Sequence, residues 1–346
     1  MVLKHKGGIM RTEWTTNDIF KLFKLKNRQI LTTAEKAGRI PTALRRKKAG
    51  REVRHWTTDQ VPEIGKQFGP FKQTPPSKPY KICIYWKKGG VLKTTTAYNL
   101  ARTLALNGLK VLIVGLDSQL SITNLVLNPL STYDSIEEIT EYPGLYEYLV
   151  SQSGKVLLED LIVPTDLPTL KMIPENYNLS YLPMHLSEKN VPHKEFSANL
   201  IPNINDLDFD IVVYDIGPLW NSVTANALFS SNVLVAPTGC EPASYQALDL
   251  CLDELEKFLE ETGKTLEHIF LVPTMVERTN KLSTSIHAHY LKDYSDLCTV
   301  SSIRRSIKGA EAFYQGSTVR EKDPSSPVAE DFQQLFTEIW TKIAGS

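Results

Sequence analysis

The stretch Ile82-Cys83-Ile84-Tyr85-Trp86-Lys87-Lys88-Gly89-Gly90-Val91-Leu92-Lys93-Thr94-Thr95 decides the reading of this chain. Its first five residues are an apolar run of strand character. A glycine pair follows, and from Thr94 to Leu106 the pattern is helical, stopping at Asn107-Gly108. Strand, glycine-rich loop and helix in that order form the setting of a phosphate-binding loop. The first N–H groups of a helix lack intrahelical partners and carry partial positive charge. Glycines let that backbone close on an anion. Lys93 is placed to reach β- and γ-phosphates, and the Thr94 hydroxyl to coordinate Mg²⁺. On these residues alone, an ordinary glycine turn between a strand and a helix stays open.

The generic pattern G-x-x-x-x-G-K-[ST] is not met, because Lys87 and Leu92 stand where it has glycines. A second lysine, Lys88, precedes Lys93 instead. This arrangement resembles the deviant Walker A box of the ParA/MinD ATPases, K-G-G-x-G-K-[ST]. Leu92 in place of glycine is similar to plasmid-partition ParA proteins that carry an N-terminal DNA-binding region. The resemblance implies that Lys88, Gly89, Gly90, Val91, Leu92, Lys93, Thr94 and Thr95 bind ATP or ADP. It also implies an ATP-dependent sandwich homodimer in which Lys88 reaches the partner's phosphate, so that Lys88 and Lys93 are both catalytic.

Two further strand ends fit the same family. Val111-Leu112-Ile113-Val114-Gly115-Leu116-Asp117-Ser118-Gln119 resembles its D-x-D-P-Q motif, with Asp117 and Gln119 matching. Gly115 replaces the first aspartate and Ser118 the proline. Asp117 is expected to orient the attacking water, since positioning is most of what phosphoryl transfer requires. Phe209-Asp210-Ile211-Val212-Val213-Tyr214-Asp215-Ile216-Gly217-Pro218 resembles Walker B, with Asp215 expected to hold Mg²⁺, through water, beside Thr94. Segments around Asn226, Val233–Thr238, Val272–Arg278, Ser302–Ser306 and Gly316–Val319 follow the family's order. Strands are expected at 81–86, 109–114, 210–214, 232–236 and 269–272, and a helix near 245–261. Apolar strands alternating with helices imply an α/β fold, a doubly wound, mostly parallel sheet. Residues 129–208 read as Pro-rich and irregular.

Charge is split along the chain. The formal net charge is zero, yet residues 1–56 hold 15 Lys/Arg against 4 Asp/Glu, and the remainder 24 against 35. The balance of +11 against −11 suggests a nucleic-acid-binding arm on an acidic body, with a solvated basic tail as the plainer alternative. Within that arm, Thr15–Phe23 reads as a capped helix. Asn27 caps a second, 28–37, which Gly38 ends. A basic hairpin from Arg45 to Trp56 and a further capped helix from Thr57 follow. The order resembles a small, mainly α winged helix-turn-helix of the MerR type, with Trp56 at the usual tyrosine. That resemblance implies that Arg28, Gln29, Thr32, Thr33 and Lys36 face a major groove. Arg45, Arg46, Lys47, Lys48, Arg51 and Arg54 would hold phosphates or enter a minor groove. The expected division is residues 1–70 for this module, a Pro-rich linker over 71–79, and the ATPase over 80–346.

No apolar run approaches the ~20 residues of a membrane span, and Met1–Lys6 lacks a signal-peptide stretch. Cys83, Cys240, Cys251 and Cys298 are spaced neither as a zinc site nor as a disulfide framework. The expected location is the cytoplasm, associated with the nucleoid. Apolar positions from Asp331 to Ile343 recur at helical spacing without a basic polar face, which favours a packing helix over a membrane-targeting one. The expected function is a partition ATPase that binds an operator and nonspecific DNA, works with a ParB-like partner and represses its own operon. The competing expectation is a repressor whose nucleotide domain senses ATP but hydrolyses it poorly.

Overall fold

The computed structural model describes residues 11–48, 51–71, 79–127, 143–150 and 156–345. The expected linker therefore lies largely outside the described residues, as do Ala49 and Gly50 and the side chains of Lys48 and Arg51.

The chain enters through a short strand, β1 (Glu13–Thr15), that the sequence reading did not expect. Helix α1 (Thr16–Leu22) follows, and Thr15 and Asp18 cap it reciprocally, side chain to backbone. Helix α2 (Gln29–Lys36) starts where Asn27 Oδ1 accepts from the Ile30 N–H at 3.1 Å, and it stops before Gly38 at φ +65°. Strands β2 (Leu44–Lys48) and β3 (Arg51–Thr57) pair antiparallel, and β1 adds to the other edge of β3. Helix α3 (Val61–Phe68) completes this basic unit. Trp14 and Trp56 are fully buried in it, their indole N–H groups donating to Thr58 Oγ1 and the Pro41 carbonyl.

The body is a seven-stranded sheet. Its strands are β4 (Tyr80–Ile84), β5 (Val111–Leu116), β6 (Val163–Pro164), β7 (Leu170–Ile173), β8 (Ile211–Ile216), β9 (Val233–Gly239) and β10 (His268–Thr274). They lie in the order β10-β9-β4-β8-β5-β7-β6, and every neighbouring pair is parallel except β6 with β7. Strands β5, β8 and β9 are buried along their whole length, the pattern of a sheet covered on both faces. Helix α4 (Lys93–Leu106) runs from the glycine-rich loop, and α5 (Ser121–Leu127) follows β5.

Three expectations are corrected. The helix expected near 245–261 is two helices, Pro242–Gln246 and Leu248–Thr262, separated at Ala247. The described part of 129–208 is not merely irregular, because it supplies the edge strands β6 and β7. Strands β5 and β8 run two residues beyond their expected ends, to Leu116 and Ile216.

The basic unit and the body share one hydrophobic cluster, from Trp14 and Leu31 through α4 to Trp340. The last helix, Pro327–Ala344, buries Phe332, Leu335, Phe336, Ile339 and Trp340, and Trp340 meets Phe71 edge-on at 5.9 Å. It is a packing helix. No helix among the described residues is long and apolar enough to cross a membrane.

Candidate nucleotide site

Parallel strands deliver their carboxyl ends to one rim of the sheet, and that rim is where ligands bind in open α/β sheets. The register places Ile84, Asp215 and Gly115 side by side there. The loop 87–92 follows β4 after Tyr85 and Trp86. Within it Gly90 has φ +74° and Leu92 φ +68°. A Cβ added to Gly89 or Gly90 would meet nothing within 4 Å, so both glycines open onto free space. The Leu92 carbonyl accepts from the Thr96 N–H at 2.8 Å and starts α4, and the buried Thr274 hydroxyl donates to the Val91 carbonyl at 3.2 Å.

Lys93 is only 8% exposed, and its ammonium donates to the Lys88 carbonyl at 2.6 Å, closing the loop on itself. Burial lowers its pKa, while Asp215 and Asp117 oppose that shift. Asp215 is fully buried and neither carboxylate oxygen has a hydrogen-bond partner. Burial pushes its pKa up to about 7; the nearby Thr94 hydroxyl and the Lys93 charge moderate the rise and Asp117 adds to it. Asp117 lies just past β5, with its carboxylate against Gly217: a Cβ there would sit 3.1 Å from Asp117 Cγ. Its Oδ1 accepts from the Gln119 N–H at 3.1 Å. The fold thus gathers Lys93, Thr94, Asp117 and Asp215 at one place. Lys88 is half-buried and its side chain makes no ion pair among the described residues.

Sequence reasoning missed Glu175. It is 1% exposed, bonds to the N–H groups of Asp117 and Thr123, and its pKa is driven well up by burial and by Asp215. Its only signal is a carboxylate following the short apolar end of β7, Met172-Ile173-Pro174, and Lys171 blurs that strand.

A family model described as AAA domain matches residues 80–268, more than half of the chain. The chain belongs to the AAA-domain family. A cell division protein, PomZ, from Myxococcus xanthus is 27% identical over 259 residues, 75% of this AAA-domain chain and 77% of PomZ. A chromosome partitioning protein, ParA, from Caulobacter vibrioides is 27% identical over 258 residues, 75% of this chain and 92% of the relative. A putative plasmid partition protein from Borrelia burgdorferi B31, solved bound to AMPPNP, superposes with a TM-score of 0.62 at 23% identity. That match covers 77% of this chain and all of the other. At that identity the likeness shows the fold.

The matched family model begins at residue 80, so the basic unit of this AAA-domain chain lies outside it and its geometry stands by itself. Gln29, Thr33 and Lys36 are exposed on α2, and Arg28 is exposed just before its first residue. Arg28 donates to Asn17 Oδ1 at 2.6 Å and lies over the Phe20 ring. Thr32 is half-buried and accepts from Arg54 at 2.7 Å. Arg45, Arg46 and Lys47 are exposed on the edge strand β2, with Arg45 near Glu52 and Arg46 paired with Glu13. Arg54 departs from the expectation of a free phosphate contact. Its guanidinium turns inward to Glu35 and Thr32 and sits over Trp56.

Proposed function

We propose that this chain is a partition ATPase of the ParA kind, which binds ATP with Mg²⁺, hydrolyses it and couples that cycle to DNA. The observation that carries the reading is the buried, unpartnered Asp215 carboxylate beside Lys93 and Thr94 under an open glycine loop. A buried carboxylate without partners is costly, and the usual compensation is a cation. Among the described residues no group of three or more His, Cys, Asp or Glu is arranged to hold a metal alone. That suits Mg²⁺, which is usually held by one or two protein oxygens together with phosphates and water. Thr94 and Asp215 would hold it, and it would neutralise phosphate charge as that charge develops.

The residues of this chain carry the remaining roles. Loop N–H groups from Gly89 to Thr95 and the Lys93 ammonium bind and orient phosphates. Lys93 is preorganised on the Lys88 carbonyl and exchanges that acceptor for phosphate oxygen. Asp117, anchored against Gly217, orients the attacking water. Lys88 carries a charge that makes no ion pair among the described residues, which suits a reach into a second copy across an ATP-dependent dimer. The likeness to the relatives' partition roles supports a ParB-like partner that stimulates turnover, and nonspecific DNA binding by the ATP state.

The basic unit is proposed as a winged helix-turn-helix that reads an operator and represses the chain's own transcription. Two helices, a basic hairpin and the exposed row on α2 support it. Residues 1–70 would be the DNA module, 71–79 the linker and 80–346 the ATPase. Calorimetric titration of the full chain with ATP and Mg²⁺ tests the nucleotide reading. Micromolar binding by the wild type and its loss in Lys93→Ala are expected, and unchanged affinity in that variant would overturn the phosphate-loop assignment.

A further inference from the structure

Glu175 lies just past β7, and its side chain is spent entirely on the strand end next door. Oε1 accepts from the Asp117 N–H at 3.1 Å and Oε2 from the Thr123 N–H at 3.2 Å. The Glu175 N–H donates to Thr123 Oγ1 at 2.8 Å. One carboxylate thereby ties the residue after β5 to the first turn of α5. Its stem crosses Gly115: a Cβ at 115 would lie 2.5 Å from Glu175 Cγ and 2.8 Å from its Cδ.

Position 115 is where D-x-D-P-Q has its first aspartate. An aspartate there can accept from the N–H two residues on, that of residue 117, in an Asx-type bond. Gly115 removes that side chain and leaves room. Glu175 enters the room from the neighbouring strand and accepts the same N–H. We propose that Glu175 is a positioning residue of the hydrolytic site, supplying from β7 the carboxylate that β5 lacks, and that Gly115 and Glu175 are a matched pair. The proposal rests on the ATPase reading above. Glu175 acts through Asp117, whose backbone it holds so that the Asp117 carboxylate stays against Gly217. Its side-chain hydrogen bonds go to Asp117 and Thr123 and not to the loop residues 88–95, so its removal is expected to be felt in turnover and not in nucleotide affinity.

Both oxygens serve as acceptors, each facing a backbone donor. In Glu175→Gln one of those N–H groups faces an amide N–H₂ and loses its bond. Misplacement of a positioned group by about an ångström can cost on the order of 100-fold in rate. The test compares single-turnover ATP hydrolysis, ATP affinity by calorimetry and thermal melting for the wild type, Glu175→Gln and Gly115→Asp/Glu175→Ala. Expected for Glu175→Gln is a rate lower by roughly 10–100-fold with affinity within about threefold of wild type. The double variant, which moves the carboxylate back to β5, is expected to recover to within about tenfold of wild type. Gly115→Asp alone overpacks against Glu175 and is expected to melt early, so the double variant carries the test.

Wild-type turnover in Glu175→Gln overturns the proposal. Parallel loss of rate, affinity and melting temperature without rescue by the double variant also overturns it, since that is the behaviour of a purely structural residue. If the wild type neither binds nor hydrolyses ATP, the ATPase reading falls and the pair falls with it. An active wild type with an indifferent Glu175→Gln removes only the pair.

Discussion

Leu92 holds a backbone conformation that its own side chain opposes. At φ +68° and ψ 28° it is left-handed, a region costing a residue with a Cβ roughly 1–2 kcal/mol. Its side chain packs partly on the core, which offsets some of that cost. Leu92→Gly relieves the strain, loses the packing and adds unfolded-chain freedom worth ~0.5–1 kcal/mol. Leu92→Ala loses the packing and keeps the strain. The glycine variant is therefore expected to be at least as stable as the alanine variant in urea melts, the reverse of the usual order at a helix. An alanine variant more stable by about 1 kcal/mol, the ordinary helix preference, would mean that the loop carries no such strain. Asp215 is strained in another way, by a buried carboxylate without partners. Asp215→Asn is expected to raise the stability of the nucleotide-free chain by about 1–2 kcal/mol, as relief of functional strain commonly does. It is also expected to weaken Mg²⁺-dependent nucleotide binding, which paired melting and titration experiments would detect. Both sites were legible in sequence as departures or matches to a motif. Their cost was not, because φ angles and missing partners belong to the folded chain. Glu175 was illegible for a related reason: its role depends on β7 lying beside β5, and residues 115 and 175 are brought together only by the sheet order.

Among the elements, the long apolar strands and α4 were readable because burial on both faces leaves little ambiguity of pattern. Strands β1, β6 and β7 were not, being two to four residues long and mixed in character. Their pairing comes from tertiary contact, not from periodicity. The helix expected near 245–261 was continuous in pattern, but the structure breaks it at Ala247 just after a proline-started turn. In the basic unit, α2 and β3 are joined by Arg54, which spans from the central strand to Glu35 and Thr32. Glu35 also accepts from the Ala43 N–H at 2.8 Å, so a single carboxylate organises the approach to the hairpin. Arg54→Ala leaves Glu35 half-satisfied in a largely buried place and is expected to cost ~1–3 kcal/mol. On DNA it should behave unlike Lys47→Ala. Loss of an exposed phosphate-facing charge lowers the salt slope of binding by about 1. Arg54→Ala should leave that slope unchanged and lower the melting temperature instead. Mobility shifts at several salt concentrations separate the two, and a reduced slope in Arg54→Ala would place its guanidinium on phosphate after all.

Over the whole molecule, the basic unit is seated on the nucleotide body at the far end of the helix that begins in the phosphate loop. Helix α3 lies against the end of α4, where a Cβ on Gly65 would run into the Leu106 carbonyl oxygen and come within 2.8 Å of Asn107 Cα. The buried Arg320 donates to the Leu22 carbonyl at the end of α1, and Lys24 pairs with Glu330. Phe71 on Trp340 closes the same seam. These contacts join the two parts through one hydrophobic cluster, so α3 and the end of α4 are coupled by packing. Gly65→Ala tests that seat directly. The obstacle is backbone, so no rotamer change can make room, and the two helices must separate. Overpacking of this kind costs about 1–3 kcal/mol, and here it falls on the seam alone. The wild type is expected to melt in one calorimetric transition, because the shared cluster makes both parts unfold together. Gly65→Ala is expected to split that transition, with the basic unit melting first and the body retaining its ATP affinity. A single transition at the wild-type temperature in Gly65→Ala would show that the seam does not couple the two parts.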